Sequence, residues 1–176
     1  MQNEFERRAA ELEVRAKGRV LEGYAAVFNT RAKIADFEEI IMPGAFAATL
    51  ADGADKLALV DHAPTQLLGR TRNGSLKLAE DTRGLHFAVT LPKTTLADDV
   101  LGLAEAGSLG GASFGFKAIK DAWRGSLRTL HQVALREVSV VLSWPAYEGT
   151  IVHARSRVPC SPLARRLRLL ELEAGQ

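Results

Sequence analysis

Several sequence features are scarce or missing in this chain, and each shortage excludes a class of protein. Cys160 is the single cysteine among 176 residues, so an internal disulfide scaffold is excluded. No apolar run approaches the roughly 18 residues of a membrane span, and the N-terminus mixes acidic and basic residues without a signal-peptide core. We therefore expect a cytoplasmic protein that does not use a membrane.

Strong charge of either sign is also missing. The formal net charge of +2 and the pI near 8.8 are too mild to require nucleic acid, because nucleic-acid-binding proteins concentrate more positive charge on one face. The densest basic cluster is Arg165, Arg166 and Arg168. With 47% hydrophobic residues the chain can bury one sizeable core. One main domain is expected, with no direct requirement for nucleic acid.

Short apolar or alternating runs separated by turn signals fill the chain from about Arg19 to Val152, as is typical of a β-rich domain. The predicted strands are RVLEGYAAVF, FEEIIM, KLALVD, QLLGRTR, SLKLAE, LHFAVTL, ASFGFKAI and TLHQVALREVSVVLS. Asn73-Gly74 predicts a tight hairpin, and residues 81–84 predict a second turn. A meander is expected in this region.

Two helices are predicted inside this β-rich pattern. Pro43-Gly44 followed by AFAATLADG predicts a short helix, with proline near the first turn. The segment TTLADDVLGLAEAG predicts a longer helix, in which Thr95 and Asp98 have capping-box spacing and Gly107 provides the end.

The sequence predicts a central domain at residues 18–153 between two terminal segments. Residues 1–17 predict a helical or flexible segment, with an amphipathic helix through Phe5, Ala9 and Leu12. Residues 154–176 predict a basic linker followed by a helix over 161–173.

Three polar residues occur in three separate apolar segments: His62 in LALVDHAP, Ser113 in GGASFGFKA and Glu137 in VALREVSVV. A hydroxyl nucleophile, an imidazole base and a carboxylate that orients the base are the minimum parts of a serine hydrolase. Their order is neither that of chymotrypsin nor that of subtilisin, and no G-x-S-x-G elbow surrounds Ser113. An α/β-hydrolase fold is therefore not expected.

Strand alternation adds a clue about Glu137, because it puts this carboxylate on one face with apolar neighbours and Ser139. A buried carboxylate is costly unless it is paired, and a histidine would satisfy it. An edge strand that exposes Glu137 to solvent explains the same pattern. Asp61 is a poor partner for His62 because adjacent side chains of a strand point to opposite faces, so a turn or strand-end contact is expected.

The serine and the histidine also have structural interpretations. His62 fits a surface or hydrogen-bonded histidine, and Ser113 fits a small residue in a crowded, glycine-rich strand. Ser108 competes as a nucleophile, but its place after a helix end favours local backbone bonding. Gly110 and Gly111 are candidate oxyanion donors, and that role stays open.

No metal or cofactor is predicted. The remaining histidines have no metal-type spacing with one another or with Cys160. These histidines are His86, His131 and His153.

An ordered set of sequence blocks between residues 18 and 153 resembles the prohead proteases of tailed bacteriophages. The blocks are GYAAVFN, IIMPGAFAATL, VDHAPTQLLGRT, DTRGLHFAVTLP, SLGGASFGFKA and LREVSVVLSWPAY. Those proteins are capsid-maturation serine proteases whose fold resembles that of the herpesvirus assemblins. The resemblance implies that Ser113 is the nucleophile, His62 the general base and Glu137 the third member, in the place that a second histidine takes in the herpesvirus relatives.

With the strand pattern, this resemblance favours an α+β, β-rich fold, a single closed or nearly closed β-barrel flanked by helices. It also implies a serine endopeptidase that cleaves the scaffold-like segment of the major capsid protein and itself. Self-association is expected, inside the assembling prohead in the host bacterial cytoplasm. The alternatives are a non-catalytic scaffolding or capsid-assembly protein with the same fold, and a hydrolase of small esters, against which the missing elbow argues.

Overall fold

The computed structural model of the chain describes residues 6–10 and 14–142. The predicted C-terminal linker and helix and the basic cluster lie outside these residues. The described strands and helices follow in chain order: β1 (Glu6–Ala10), β2 (Val14–Lys17), β3 (Val20–Val27), β4 (Ala32–Ile34), β5 (Phe37–Ile41), α1 (Ala47–Ala51), β6 (Leu57–Val60), β7 (Ala63–Arg70), β8 (Leu76–Glu80), β9 (Gly84–Thr90), α2 (Thr95–Glu105), β10 (Gly111–Arg124) and β11 (Leu127–Val141).

The described strands form two sheets. The larger sheet has seven strands, with the path β1-β10-β11-β5-β4 and a branch in which β6 pairs with both β11 and β7. The smaller sheet has the order β2-β3-β9-β8. Strand β11 is long enough to pair in parallel with β5 near its start and with β6 near its end. This fork places the tip of the β6–β7 hairpin beside the last residues of β11.

The β-rich content is as predicted, but the closed or nearly closed barrel is wrong. In the described part of the chain, the larger sheet ends at β1, β4 and β7, the smaller sheet ends at β2 and β8, and no strand ladder joins the two. A barrel requires its first and last strands to pair. Strand number and alternation are the same for a barrel and for two packed sheets, so the sequence pattern does not distinguish them.

Apolar side chains of the two sheets pack into one core. Phe87 of the smaller sheet and Phe114 and Phe116 of the larger sheet are essentially fully buried. The ring of Phe46, just before α1, packs edge-on against Phe114 at 5.5 Å between centroids. Each fully buried side chain of this kind stabilises the fold by about 1.5–3 kcal/mol. The strands that carry the central polar residues are therefore anchored in the core.

Both internal helices are confirmed, with one change at a cap. The N-cap of helix α2 is Thr94 rather than the expected Thr95, because the Thr94 side chain accepts a hydrogen bond from the Ala97 N–H at 3.3 Å. Gly107 follows the helix with φ +67°, a left-handed conformation that glycine adopts without strain.

The helix expected within residues 1–17 is wrong, since the described parts of this segment form β1 and β2. Strand β1 adds to the edge of β10, and β2 adds to β3. Alternation places Glu6 and Arg8 where they form ion pairs with buried groups of the larger sheet. Edge pairing and these ion pairs outweigh the local helical pattern.

The two predicted turns have different outcomes. Asn73 and Gly74 end a short 3-10 turn that joins β7 to β8, which belong to different sheets, so no hairpin forms there. The turn at residues 81–84 is confirmed as the β8–β9 connection. Its Asp81 Oδ1 accepts hydrogen bonds from the Arg83 and Gly84 N–H groups at 2.7 and 3.0 Å.

Candidate active site

Two of the predicted site residues lie on neighbouring strands in matching register. Ser113 of β10 pairs directly with Ser139 of β11, and Gly115 pairs directly with Glu137. Side chains of direct cross-strand partners are neighbours on one face of a sheet. Ser113 is fully buried, Ser139 is 2% exposed and Glu137 is 9% exposed. The β10–β11 pair thus brings two hydroxyls and a carboxylate together in the interior.

Gly115 provides the space that the carboxylate occupies. A Cβ atom at this position would collide with Oε1 of Glu137 and would lie 3.1 Å from its Cδ, which is tighter than ordinary contact. This role of Gly115 was not predicted from the sequence. The available signal was the matching spacing of Ser113-x-Gly115 and Glu137-x-Ser139, two segments that antiparallel pairing sets face to face.

His62 comes from the tight turn between β6 and β7. Val60 pairs with Ala63, so Asp61 and His62 form a two-residue loop with φ of +47° and +59°. Such mirror-image turns favour Asn and Gly, and a left-handed non-glycine residue costs about 1–3 kcal/mol where the surrounding structure enforces it. His62 therefore holds a backbone conformation that local preference opposes.

Three hydrogen bonds from β11 and its end hold this turn. The Asp61 N–H donates to the Val140 carbonyl at 3.0 Å, and Asp61 Oδ1 accepts from the Leu142 N–H at 3.1 Å. The His62 N–H donates to Oγ of Ser139 at 3.2 Å. The predicted strand-end role of Asp61 is thus confirmed, and the bonds explain how the turn keeps its strained conformation.

The three predicted residues meet in one chain of hydrogen bonds. Nε2 of His62 lies 2.7 Å from Oγ of Ser113, and Nδ1 lies 2.7 Å from Oε1 of Glu137. An ionised carboxylate only accepts, so Nδ1 carries the proton in the neutral imidazole and Nε2 presents its lone pair to the serine. This arrangement is able to remove the hydroxyl proton.

Ser139 extends the chain by one residue. Its hydroxyl donates to Oε2 of Glu137 at 2.6 Å while its oxygen accepts the His62 N–H. Both carboxylate oxygens of Glu137 therefore have partners, which offsets the cost of burying the charge. Strand alternation correctly placed Ser139 on the same face as Glu137, but its contact with His62 was not predicted because it depends on the nonlocal position of the turn.

The Ser113 hydroxyl has a second acceptor on β1. Its Oγ lies 2.6 Å from the carbonyl oxygen of Arg8, in addition to the imidazole nitrogen. A cleft of about 490 Å³ is lined by His62, Gly115 and Glu137 together with Arg7 of β1. Ser113 does not line this cleft.

An ion cluster beneath β1 surrounds the buried carboxylate of Glu39. Arg8 Nε lies 2.6 Å from Glu39, and Arg128 lies 2.6 Å from Glu6 and 2.7 Å from Asp121. Burial alone would raise the pKa of Glu6, but the hydrogen bonds and charges of Arg128 and Arg8 outweigh it, so this pKa lies below its ordinary 4.5. The cluster ties β1 to three other strands.

The other sequence candidates lie apart from this relay. Ser108 is exposed after α2, where its N–H donates to the Leu103 carbonyl at 2.8 Å. The Gly110 N–H donates to the Val141 carbonyl at 2.8 Å, so this candidate oxyanion donor is already engaged. His86 packs edge-on against Tyr24.

Within 6–10 and 14–142, no group of three or more His, Cys, Asp or Glu residues is arranged to hold a metal. In that same part of the chain, no helix has the length and apolar character needed to cross a membrane.

Comparison with known proteins agrees with the sequence blocks. The chain is 35% identical over 143 residues to the Prohead protease of Enterobacteria phage HK97, an alignment that covers 79% of this chain and 61% of that protein, so the chain spans about three-fifths of the relative's length. No solved structure is a significant match. A sequence profile described as caudovirus prohead serine protease matches residues 3–160. The chain therefore belongs to the caudovirus prohead serine protease family.

Proposed function

We propose that this protein is a serine endopeptidase of phage-type capsid maturation, with Ser113 as nucleophile, His62 as general base and Glu137 as the residue that orients His62. The observation that carries the proposal is the continuous Ser113–His62–Glu137 chain, with two hydrogen bonds of 2.7 Å. Such a chain is the working arrangement of serine proteases, and here it occurs in a member of a prohead serine protease family.

The reaction is acyl transfer in two stages. His62 Nε2 takes the hydroxyl proton as Oγ of Ser113 bonds to the peptide carbonyl carbon, and the imidazolium then gives this proton to the departing amine as the C–N bond breaks. In the second stage, His62 takes a proton from water, which attacks the acyl-enzyme, and returns it to Ser113. The products are a free carboxylate and the restored enzyme.

Glu137 and Ser139 support the base without contacting the substrate. Glu137 accepts the Nδ1 proton, which keeps the productive tautomer and stabilises the imidazolium formed in each stage. Ser139 fixes the other carboxylate oxygen and the His62 backbone. We regard Ser139 as a positioning residue, because it acts on the reacting atoms only through Glu137 and His62.

We infer the substrates from the family. These substrates are the scaffold-like segment of the major capsid protein and the protease itself. The protease self-associates and cleaves them inside the assembling prohead, in the host bacterial cytoplasm. A non-catalytic scaffolding protein has no need for a buried hydroxyl, imidazole and carboxylate in series, since such groups are costly to bury. The relay therefore favours the enzyme.

Co-production with the major capsid protein, followed by mass analysis of both proteins, tests the proposal. Ser113→Ala keeps the small volume of a buried strand residue and should reduce cleavage by several orders of magnitude. Ser108→Ala is the matched control, because this exposed hydroxyl lies away from His62, and it should cleave like the unmodified protein. Unchanged cleavage by Ser113→Ala would refute the assignment of the nucleophile.

A further inference from the structure

Strand β1 lies directly beside the strand that carries the proposed nucleophile. It pairs antiparallel with β10 from Glu6 opposite Phe116 to Ala10 opposite Ala112, with Ala9 opposite Ser113. With β1 in place, Ser113 has no exposed surface. A polypeptide substrate that is to be attacked by Ser113 cannot approach it while β1 occupies this edge.

The contact between β1 and the nucleophile also opposes activation. A hydroxyl has one proton, and Oγ of Ser113 has two acceptors at similar distances, the Arg8 carbonyl at 2.6 Å and His62 Nε2 at 2.7 Å. A proton directed to Arg8 is not available to His62. Attack also requires a carbonyl carbon in front of Oγ, whereas here the carbonyl oxygen accepts the hydroxyl proton. Strand β1 thus blocks the nucleophile rather than presenting a bond for cleavage.

Charge complementarity indicates which peptides fit this edge. Strand β1 contributes one anion, Glu6, and one cation, Arg8, to the buried cluster. The groups that remain if β1 leaves are Glu39, Asp121 and Arg128, so Arg128 is then shared between two carboxylates. Glu39 is only 2% exposed, so losing a cationic partner there is costly. A replacing peptide is favoured when it brings a basic side chain to the place of Arg8.

We propose that the edge of β10 beside Ser113 is the binding site for an extended substrate segment with a basic residue in register with Arg8, and that β1 fills this site until the segment displaces it. Addition of a strand to a sheet edge is an established mode of peptide recognition, in which main-chain hydrogen bonds supply affinity and side-chain contacts supply selectivity. The proposal rests on the proposed peptidase function and adds how the substrate reaches it.

A reversible covalent lock tests the displacement of β1. In a Cys160→Ser background, Ala10→Cys and Ala112→Cys introduce cysteines at direct cross-strand partners, whose Cα separation suits a disulfide. The oxidised protein should cleave a capsid-derived peptide at least about tenfold more slowly than the same protein in dithiothreitol, because the open state is removed. The control carries Ala10→Ser and Ala112→Ser in the same background and should not respond to oxidation.

The outcomes separate this proposal from the proposed function. Equal cleavage by the oxidised and reduced forms, with the disulfide verified by mass, would overturn the displacement of β1 and leave the peptidase intact. A chain that cleaves no peptide in any form, including the unmodified protein, would contradict the peptidase function itself.

A competition experiment on the unmodified protein covers the case in which the cysteine variant fails to fold. A synthetic peptide of residues 4–12 should raise the KM for the substrate peptide without changing kcat, because both compete for one edge. The same peptide with Arg8→Ala is the matched control and should inhibit about tenfold more weakly, since it brings no cation to Glu39. Equal inhibition by the two peptides, or none by either, would contradict the proposal.

Discussion

The two hairpins that build the relay position their residues in opposite ways. The β10–β11 hairpin is long and anchored in the core, and its register alone sets Ser113, Glu137 and Ser139 side by side. The β6–β7 hairpin is short, and its two-residue turn holds His62 at φ +59° through bonds to β11. Regular pairing thus fixes Ser113 and Glu137, while a strained turn positions His62.

This difference indicates where the site tolerates change. The relay residues of the β10–β11 pair are buried, so small volume changes beside them act directly on the relay. The turn depends instead on hydrogen bonds that hold an unfavourable backbone conformation. Substitutions that affect one hairpin and spare the other therefore separate chemistry from positioning.

The largest effect is expected at the carboxylate of the long hairpin. Glu137→Gln keeps the shape but offers Nδ1 an amide donor where an acceptor is needed, so kcat for peptide cleavage should fall by about 10⁴-fold. The thermal melt should show that the variant is folded. Glu105→Gln, an exposed change at the end of α2, is the control and should change stability by less than about 0.5 kcal/mol and leave kcat unchanged. Similar rates for wild type and Glu137→Gln would exclude Glu137 as the orienting residue.

The next effect is expected where the two strands face each other. Gly115→Ala places a methyl group against Oε1 of Glu137 and should lower kcat by about 100-fold through displacement of the carboxylate. Gly102→Ala is the matched control, since its Cβ would meet open space on α2 and should stabilise the protein by up to about 1 kcal/mol. If both variants keep full activity, Gly115 is not needed to accommodate the carboxylate.

A smaller effect is expected at the residue that joins the two hairpins. Ser139→Ala removes a partner of Glu137 and of the His62 N–H, so kcat should fall by about tenfold with KM unchanged, while Ser139→Thr, which keeps the hydroxyl, should recover part of the activity. Ser75→Ala removes a comparable hydroxyl, whose hydrogen-bond partners in the described chain are Arg70 and Asn73 rather than relay residues. If Ser139→Ala and Ser75→Ala both lose stability and neither loses kcat, the role of Ser139 is only structural.

The smallest effect concerns the attachment of β1 and its pH dependence. A carboxylate whose pKa is lowered on folding adds stability above its unfolded pKa, and this contribution disappears as pH falls through the folded value. The free energy of unfolding of the wild type should therefore exceed that of Glu6→Gln by less than about 1 kcal/mol at pH 7, and this difference should shrink below pH 4.5. Thermal melts of both proteins between pH 7 and pH values below 4.5 measure this difference in stability. A difference that grows on acidification would contradict the role given to Glu6.

Residue chemistry and local pattern predicted much of the site. His62, Ser113 and Glu137 were identified from their residue types and sequence blocks, and the structure joins them by hydrogen bonds. The β-rich character and both internal helices were also predicted. These features depend on short sequence windows, in which side-chain chemistry and periodicity are informative.

Features that depend on distant pairing were not predictable in this way. The open two-sheet arrangement, the strand β1 in place of a helix and the role of Gly115 all depend on which strand lies beside which. Asn73-Gly74 has the composition of a hairpin turn but joins strands of different sheets, whereas Asp61 and His62 form a tight hairpin in which hydrogen bonds from β11 replace local preference.

The most direct test of the Ser113–His62–Glu137 relay is covalent labelling with a peptidyl fluorophosphonate, which reacts with an activated serine hydroxyl, followed by mass mapping of the labelled residue. The account predicts labelling at Ser113 that is much faster in the wild type than in folded Glu137→Gln, since β1 limits access to Ser113 equally in both proteins. Labelling at Ser108 or Ser139, or equal labelling rates in the two proteins, would contradict it.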